Sequence, residues 1–166
     1  MRLLRALAIF ALLVVAMFAG YRYFKHSQKS PGNAVAVYYT KTDGRTLGRW
    51  NVSLGTARDL ASVAFYATVQ ALAGPPPDIE AVRFPPGTIA RTVRVNGSTA
   101  TVDLGGAIAS EQSGSFAEDG EFKALVWTLT ALPGISAVQV RLDGARVPTL
   151  PGGHLELDEP LTRQSW

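Results

Sequence analysis

The residues of this chain whose types could do chemistry are few and scattered. There are two histidines, His26 and His154. A metal site at His154 would need Glu156 or Asp158, but the segment reads as a solvated turn. The acidic cluster Glu118–Glu121 sits where a helix is expected to begin. Carboxylates there favour the positive end of the helix dipole, which accounts for them without a paired acid and base. Asp103 is expected to pair with Arg91 or Arg94 as a structural contact. Trp127 lies off the apolar stripe of its helix and reads as packing rather than a ligand-stacking platform. Gly105-Gly106 and Gly152-Gly153 are lone pairs and build no phosphate loop. There is no G-x-S-x-G, Walker loop or H-E-x-x-H. The chain has no cysteine, so it has no disulfide, thiolate ligand, cysteine nucleophile or lipobox cysteine to carry a lipid. The expectation is a protein that is not an enzyme and takes no metal or cofactor.

Charge narrows the class further. Five of the 16 Lys+Arg (Arg2, Arg5, Arg22, Lys25 and Lys29) precede Pro31 and no acid does, so the remainder carries a net charge of −2. The basic character belongs to the N-terminal segment, which argues against a nucleic-acid partner. The length of 166 residues suits one domain with a short appendage.

That appendage is Leu3–Gly20, LLRALAIFALLVVAMFAG, interrupted only by Arg5. With Tyr21, Tyr23 and Phe24 it approaches the roughly 20 apolar residues that span a bilayer, with aromatic residues where an interfacial belt would sit. Residues 1–24 are therefore expected to be a transmembrane anchor. The alternative is a cleaved signal peptide, but cleavage after Ala19 would place Met17 where a small residue is wanted. Residues 25–33 form a polar linker, and 34–163 read as a globular domain.

The elements of that domain must position whatever acts. Arg91–Leu104, RTVRVNGSTATVDL, reads as a β-hairpin about Asn96-Gly97, a pair suited to a type I′ turn. The expected pairing sets Val95 against Ser98, Val93 against Ala100, Arg91 against Val102 and Ile89 against Leu104. Ile89, Val93, Val95, Ala100, Val102 and Leu104 then share one face. Thr92, Arg94, Thr99, Thr101 and Asp103 share the other.

Ala34–Thr40 reads as a strand, with a return over Leu47–Val52 weakened by Gly48. Thr56 is an expected N-cap for a helix running to Ala73, with Leu60, Val63, Ala64, Ala67 and Ala71 inward. Gly74 and three prolines stop it. Gly105–Gly120 reads as a long loop whose one aromatic side chain is Phe116. That side chain either tucks onto the next helix or meets a partner. Phe122, Leu125, Val126, Leu129 and Leu132 mark the second helix. Val138, Val140 and Leu142 make a strand, with Asp143-Gly144 turning back through Ala145–Val147. The fold class expected is α+β, a mostly antiparallel sheet with two helices packed on one face and the other face solvated.

Taken in order, AVAVYYT, ALAGPPP, FPPGT, VRVNGSTATVDL, ALVWTLTALPGISAVQVRLDG and EPLTR resemble the GerMN domain of sporulation and spore-germination proteins. The resemblance covers nearly all of Ala34–Arg163. It rests most on Pro86-Gly87-Thr88, Val102-Asp103-Leu104, Thr128-Leu129-Thr130 and Val140–Gly144. It implies a fold like the ring-building motifs of secretion-like assemblies, on the extracytoplasmic side of the membrane, with no catalytic residue to carry over. A plain hydrophobic segment stands where many members have a lipidated cysteine. The function implied is a membrane-anchored, non-catalytic domain assembling with envelope proteins or with itself. The alternative is a module binding cell-wall peptidoglycan. The candidate partner surface is Thr92, Arg94, Thr99, Thr101, Phe116 and Trp127.

Overall fold

The computed structural model of the chain describes residues 33–110 and 114–166. The expected membrane segment and most of the linker lie outside these residues. Among the described residues no helix is long and apolar enough to cross a membrane.

Strand β1 (Ala34–Thr40) is β-branched and aromatic, and it buries Val35 and Val37. It pairs antiparallel with β2 (Leu47–Ser53) across a turn held by Asp43. The Asp43 carboxylate accepts hydrogen bonds from the Arg45 and Thr46 amides and the Thr46 hydroxyl, which hold its pKa at about 2. Gly48 does not weaken β2 as expected. Tyr39 stands directly opposite, and its ring fills the space a side chain at 48 would take.

Helix α1 (Leu60–Ala73) starts three residues later than its sequence signal. Asp59, not Thr56, is the cap and accepts from Ser62 N at 2.9 Å. Ala64, Ala67 and Ala71 are buried as expected, with Thr68 beside them. Leu60 instead stands 37% exposed in the first turn. Beyond Gly74 the Pro-rich connector is gathered by Arg83, whose guanidinium donates to the carbonyls of Pro75, Pro76 and Ile79.

The hairpin forms from β3 (Thr88–Asn96) and β4 (Thr99–Gly106), but two residues away from the expected register. Asn96 pairs with Thr99, Val95 with Ala100 and Val93 with Val102. The turn residues are thus Gly97 and Ser98. Only Gly97 has positive φ, at 57°, as a type II′ turn requires at its first central position. The Ser98 carbonyl accepts from the Ser136 and Ala137 amides, so the turn also receives the last strand.

A shift of two residues preserves the faces, because side chains alternate with period two. Val93, Val95, Ala100, Val102 and Leu104 remain inward. Ile89 does not. The register breaks between Ala90 and Thr92, leaving Arg91 as the extra residue of a bulge. Ala90 therefore faces Leu104, while Ile89 turns outward and is 49% exposed.

Strand β5 (Ala137–Leu142) lies parallel to β4, from Thr99↔Ala137 to Leu104↔Leu142. A parallel neighbour needs a crossover, supplied here by α2 (Ser115–Leu129). The expected single, mostly antiparallel sheet is thus two sheets, β1-β2 and β3-β4-β5, with one parallel pair. After Asp143-Gly144 there is one bridge, Leu142↔Ala145, rather than a returning strand.

The expected loop at 105–120 is largely structured. Gly105-Gly106 completes β4, a 3-10 turn follows at Ala107–Ala109, and α2 begins at Ser115. Both helices join one apolar core with the inner face of the three-stranded sheet, through Ala64, Ala67, Phe122, Leu125 and Leu129. Helix α2 also closes the free edge of β1. Tyr38 N donates to Thr128 Oγ1 at 2.9 Å, and Thr40 Oγ1 donates to the Gly120 carbonyl at 2.8 Å.

Candidate functional site

Three strands contribute to the outer face of the second sheet. Thr92, Arg94 and Asn96 come from β3, Thr101 and Asp103 from β4, and Arg141 from β5. Together with Gly144 they line a shallow groove of about 330 Å³. Thr99 shares the face by its position on β4. Four of the six residues expected at a partner surface, Thr92, Arg94, Thr99 and Thr101, are therefore on one face. Arg141 and Asn96 were missed. Arg141 was findable, because it alternates with the buried Val140 and Leu142.

One end of this face is shaped by two backbone irregularities. Arg91 occupies the bulge of β3, and Asp143 is the one non-glycine residue with positive φ, at 50°, among the described residues. Their side chains form an ion pair. Asp103 does not pair with Arg91 or Arg94 as expected. Its Oδ1 accepts from Gly144 N at 2.7 Å, while Arg141 Nη1 donates to the Gly144 carbonyl at 3.2 Å. The turn is thus tied to both neighbouring strands. What remains free on the face is Arg94 and the threonine hydroxyls, an arrangement suited to carboxylates and carbonyls of a partner surface.

Phe116 and Trp127 are not among the lining residues of this groove. Phe116 is the second residue of α2, 56% exposed, with its ring against Gly44 of the β1–β2 turn. It neither lies in a loop nor tucks back onto its own helix. Trp127 is half-buried, its ring 5.9 Å from that of Trp166, with Lys123 and Arg163 over it. The packing reading of Trp127 stands.

The acidic cluster departs most from expectation. Glu118 is fully buried and Glu121 is 2% exposed; only Asp119 is solvated. Glu118 Oε2 accepts from the amides of His154 at 2.8 Å and Leu155 at 3.3 Å, fastening the C-terminal segment to α2. Glu118 Oε1 and Glu121 Oε2 have no hydrogen-bond partner. Burial, and then the charge of Glu118, push Glu121 up to about 8. His154 is exposed in an acidic groove with Asp119, Glu156, Asp158 and Glu159. Among the described residues no cluster is able to hold a metal ion.

The sequence pattern of known families now bears on this architecture. Residues 36–148 match the family model Germane, described as sporulation and spore germination. The chain belongs to the Germane family. No curated protein matches it.

Solved structures of similar fold include GerMN domains. The first GerMN domain of the sporulation protein GerM from Bacillus subtilis superposes with a TM-score of 0.61 at 20% identity, covering 79% of this chain and 98% of that one. The tandem GerMN domains of the same protein give 0.58 at 17% identity, covering 80% of this chain; this chain spans 46% of that one, about half its length. A Clostridium perfringens protein named as a putative lipoprotein gives 0.55 at 16% identity, covering 79% and 87%. At these identities the likeness establishes the α+β fold of two helices and two sheets.

Proposed function

We propose that this Germane domain is a non-catalytic interaction domain, held at the membrane by residues 1–24 on the extracytoplasmic side. It assembles there with other envelope proteins or with copies of itself. The observation that carries this reading is the outer face of β3-β4-β5, where Arg94, Thr92 and Thr101 stand solvated on a framework tied down by the Gly144 turn. A polar face without a large apolar patch suits a contact that forms and dissolves. The apolar run Leu3–Gly20 supports the anchor. The relatives' names, a sporulation protein and a lipoprotein, are in keeping with an envelope setting.

The test uses the full chain in its own cells, with a photo-crosslinking amino acid at Thr101 or, as a control, at Arg49 on β2. Adducts with envelope proteins or with itself from position 101 alone are the expected result. Sedimentation with cell wall and no protein adducts would favour peptidoglycan binding instead. Carbonate washing should leave the chain in the membrane pellet; release of a shortened product would show cleavage of the N-terminal segment.

A further inference from the structure

Helix α1 has no charged residue between Leu60 and Ala73, although one side of it faces away from the core. Ala64, Ala67, Thr68 and Ala71 make its buried side. The opposite side carries Ser62, Phe65, Tyr66, Val69 and Ala73; Tyr66 is half-buried and the other four are exposed. The outward side of a surface helix ordinarily holds its charges. Here Phe65 and Val69 are among the most exposed large apolar side chains described. A surface of that kind marks a contact.

The same helix walls a groove. The end of α1, the Pro-rich connector, the start of β3 and the first turns of α2 enclose about 840 Å³. Val69, Leu72, Phe84, Pro86 and Ile89 make its lining mainly apolar, and the bulge at Arg91 is what turns Ile89 outward. The two ionisable groups of the lining do not change that character. Arg83 is held by the carbonyls of Pro75, Pro76 and Ile79, and Glu121 is 2% exposed.

An exposed aromatic side chain and an apolar groove thus lie one to two turns apart on one helix. Such a surface fits a copy of itself that is turned end for end. A twofold axis at the level of Ala67 and Thr68 sets Ser62 opposite Ala73 of the second copy, Phe65 opposite Gln70, and Tyr66 opposite Val69. Positions 62, 66, 69 and 73 alternate in steps of four and three, the spacing of a helix-pair seam. Phe65 then falls between Val69 and Leu72 of the second copy, on the helical wall of its groove, and the symmetry repeats the contact in reverse.

Charge favours this direction. Arg58 and Asp59 precede α1, while Asp78 and Arg83 follow it. Antiparallel pairing brings Asp59 to the end where Arg83 holds the Pro75 and Pro76 carbonyls, and brings Arg58 toward Asp78. Parallel pairing would set each of these charges beside its own kind. Between the ends, α1 carries no charge to oppose its copy.

We propose that two copies of this chain pair through α1, antiparallel about a twofold axis, with Phe65 of each seated in the groove of the other. The contact removes Phe65, Val69 and Ile89 from water. It lies apart from the outer face of β3-β4-β5 and leaves that face open to a partner.

The chain has no cysteine, so single substitutions report on this pairing. Full-length Ser62→Cys and Ala73→Cys variants, both at exposed positions, are purified in detergent and oxidised with copper phenanthroline, each alone and mixed. The mixture should give at least fivefold more disulfide-linked dimer than either variant alone. The twofold axis brings position 62 to position 73 but holds each roughly 16 Å along the helix from its own copy. Val69→Arg added to both variants, at an exposed helix position, should abolish the dimer without lowering the melting temperature. Photo-adducts from Thr101 should be unaffected by Val69→Arg, so failure of this contact and failure of the sheet-face reading are seen separately. No dimer in the mixture, as expected if lipid or another protein covers this face, would overturn the proposal. So would equal dimer from either variant alone, or a dimer that survives Val69→Arg.

Discussion

Arg91 Nη2 lies 2.6 Å from Asp143 Oδ1, and the two side chains meet over Gly105. A Cβ at position 105 would fall 2.5 Å from both Arg91 Nε and Asp143 Oδ1. The absent side chain of Gly105 therefore leaves the room in which the bulge of β3 reaches the turn after β5. Three strands are linked at one end of the sheet in this way, and the outer groove begins beside that link.

Gly105→Ala should part this ion pair at small cost. Both side chains are about half exposed, so the loss should be about 1 kcal/mol or less. Gly106→Ala should cost more, roughly 2–4 kcal/mol. Gly106 has φ of 73°, and a Cβ there would strike the Gly87 carbonyl, which is backbone and has no rotamer to change. Urea unfolding of the two variants decides the point; equal midpoints would contradict this account.

The hairpin register makes a four-way prediction. Val93→Asp and Val102→Asp each put an unpaired carboxylate into the core and should unfold the domain or cost several kcal/mol. Thr92→Asp and Ile89→Asp sit on exposed positions and should shift stability by roughly 0.5 kcal/mol. The Ile89 variant is the informative one. If it destabilised as much as Val93→Asp, the bulge would be absent in solution.

Glu121 makes stability depend on pH in a direction opposite to most carboxylates. Its folded pKa of about 8 lies above the ordinary 4.5 of the unfolded chain, so between those values the native state keeps a proton that the unfolded state releases. Its stabilising share is complete below about pH 4.5 and is lost as pH rises through about 8. The loss is about 3 kcal/mol after allowance for solvent screening. Glu121→Gln should flatten that part of the profile and be the more stable form at pH 8. Parallel profiles for the two proteins between pH 5 and 8 would refute the assignment.

Phe116→Ala should change stability by less than about 1 kcal/mol, because the ring is more than half exposed and lies against the β1–β2 turn. Thermal melting measures it directly. A drop of several degrees would mean that the ring is part of the core in solution.

Much of the polar face is legible in the amino-acid sequence. Thr92, Arg94, Thr99 and Thr101 follow from alternation alone, and a two-residue error in register leaves them together. Arg141 joins them because β5 pairs with β4, and no local pattern in Ala137–Leu142 says whether that pairing is parallel or antiparallel. The groove around Glu121 is not legible there. By position its acid reads as a helix-start charge, and only the connector and the start of β3 folding over α2 make it a buried one.

By itself the sequence determined what repeats along the chain: where most of the strands and helices lie, which side of each is apolar, and that the hairpin keeps one polar face. Those properties depend on neighbours a few residues away. Tertiary structure alone decided the bulge at Arg91, the outward turn of Ile89 and the burial of Glu118 and Glu121. Each of these is settled by contacts between segments far apart in the chain. Burial energy there exceeds local preference, and a single inserted residue is enough to reverse which face a side chain joins.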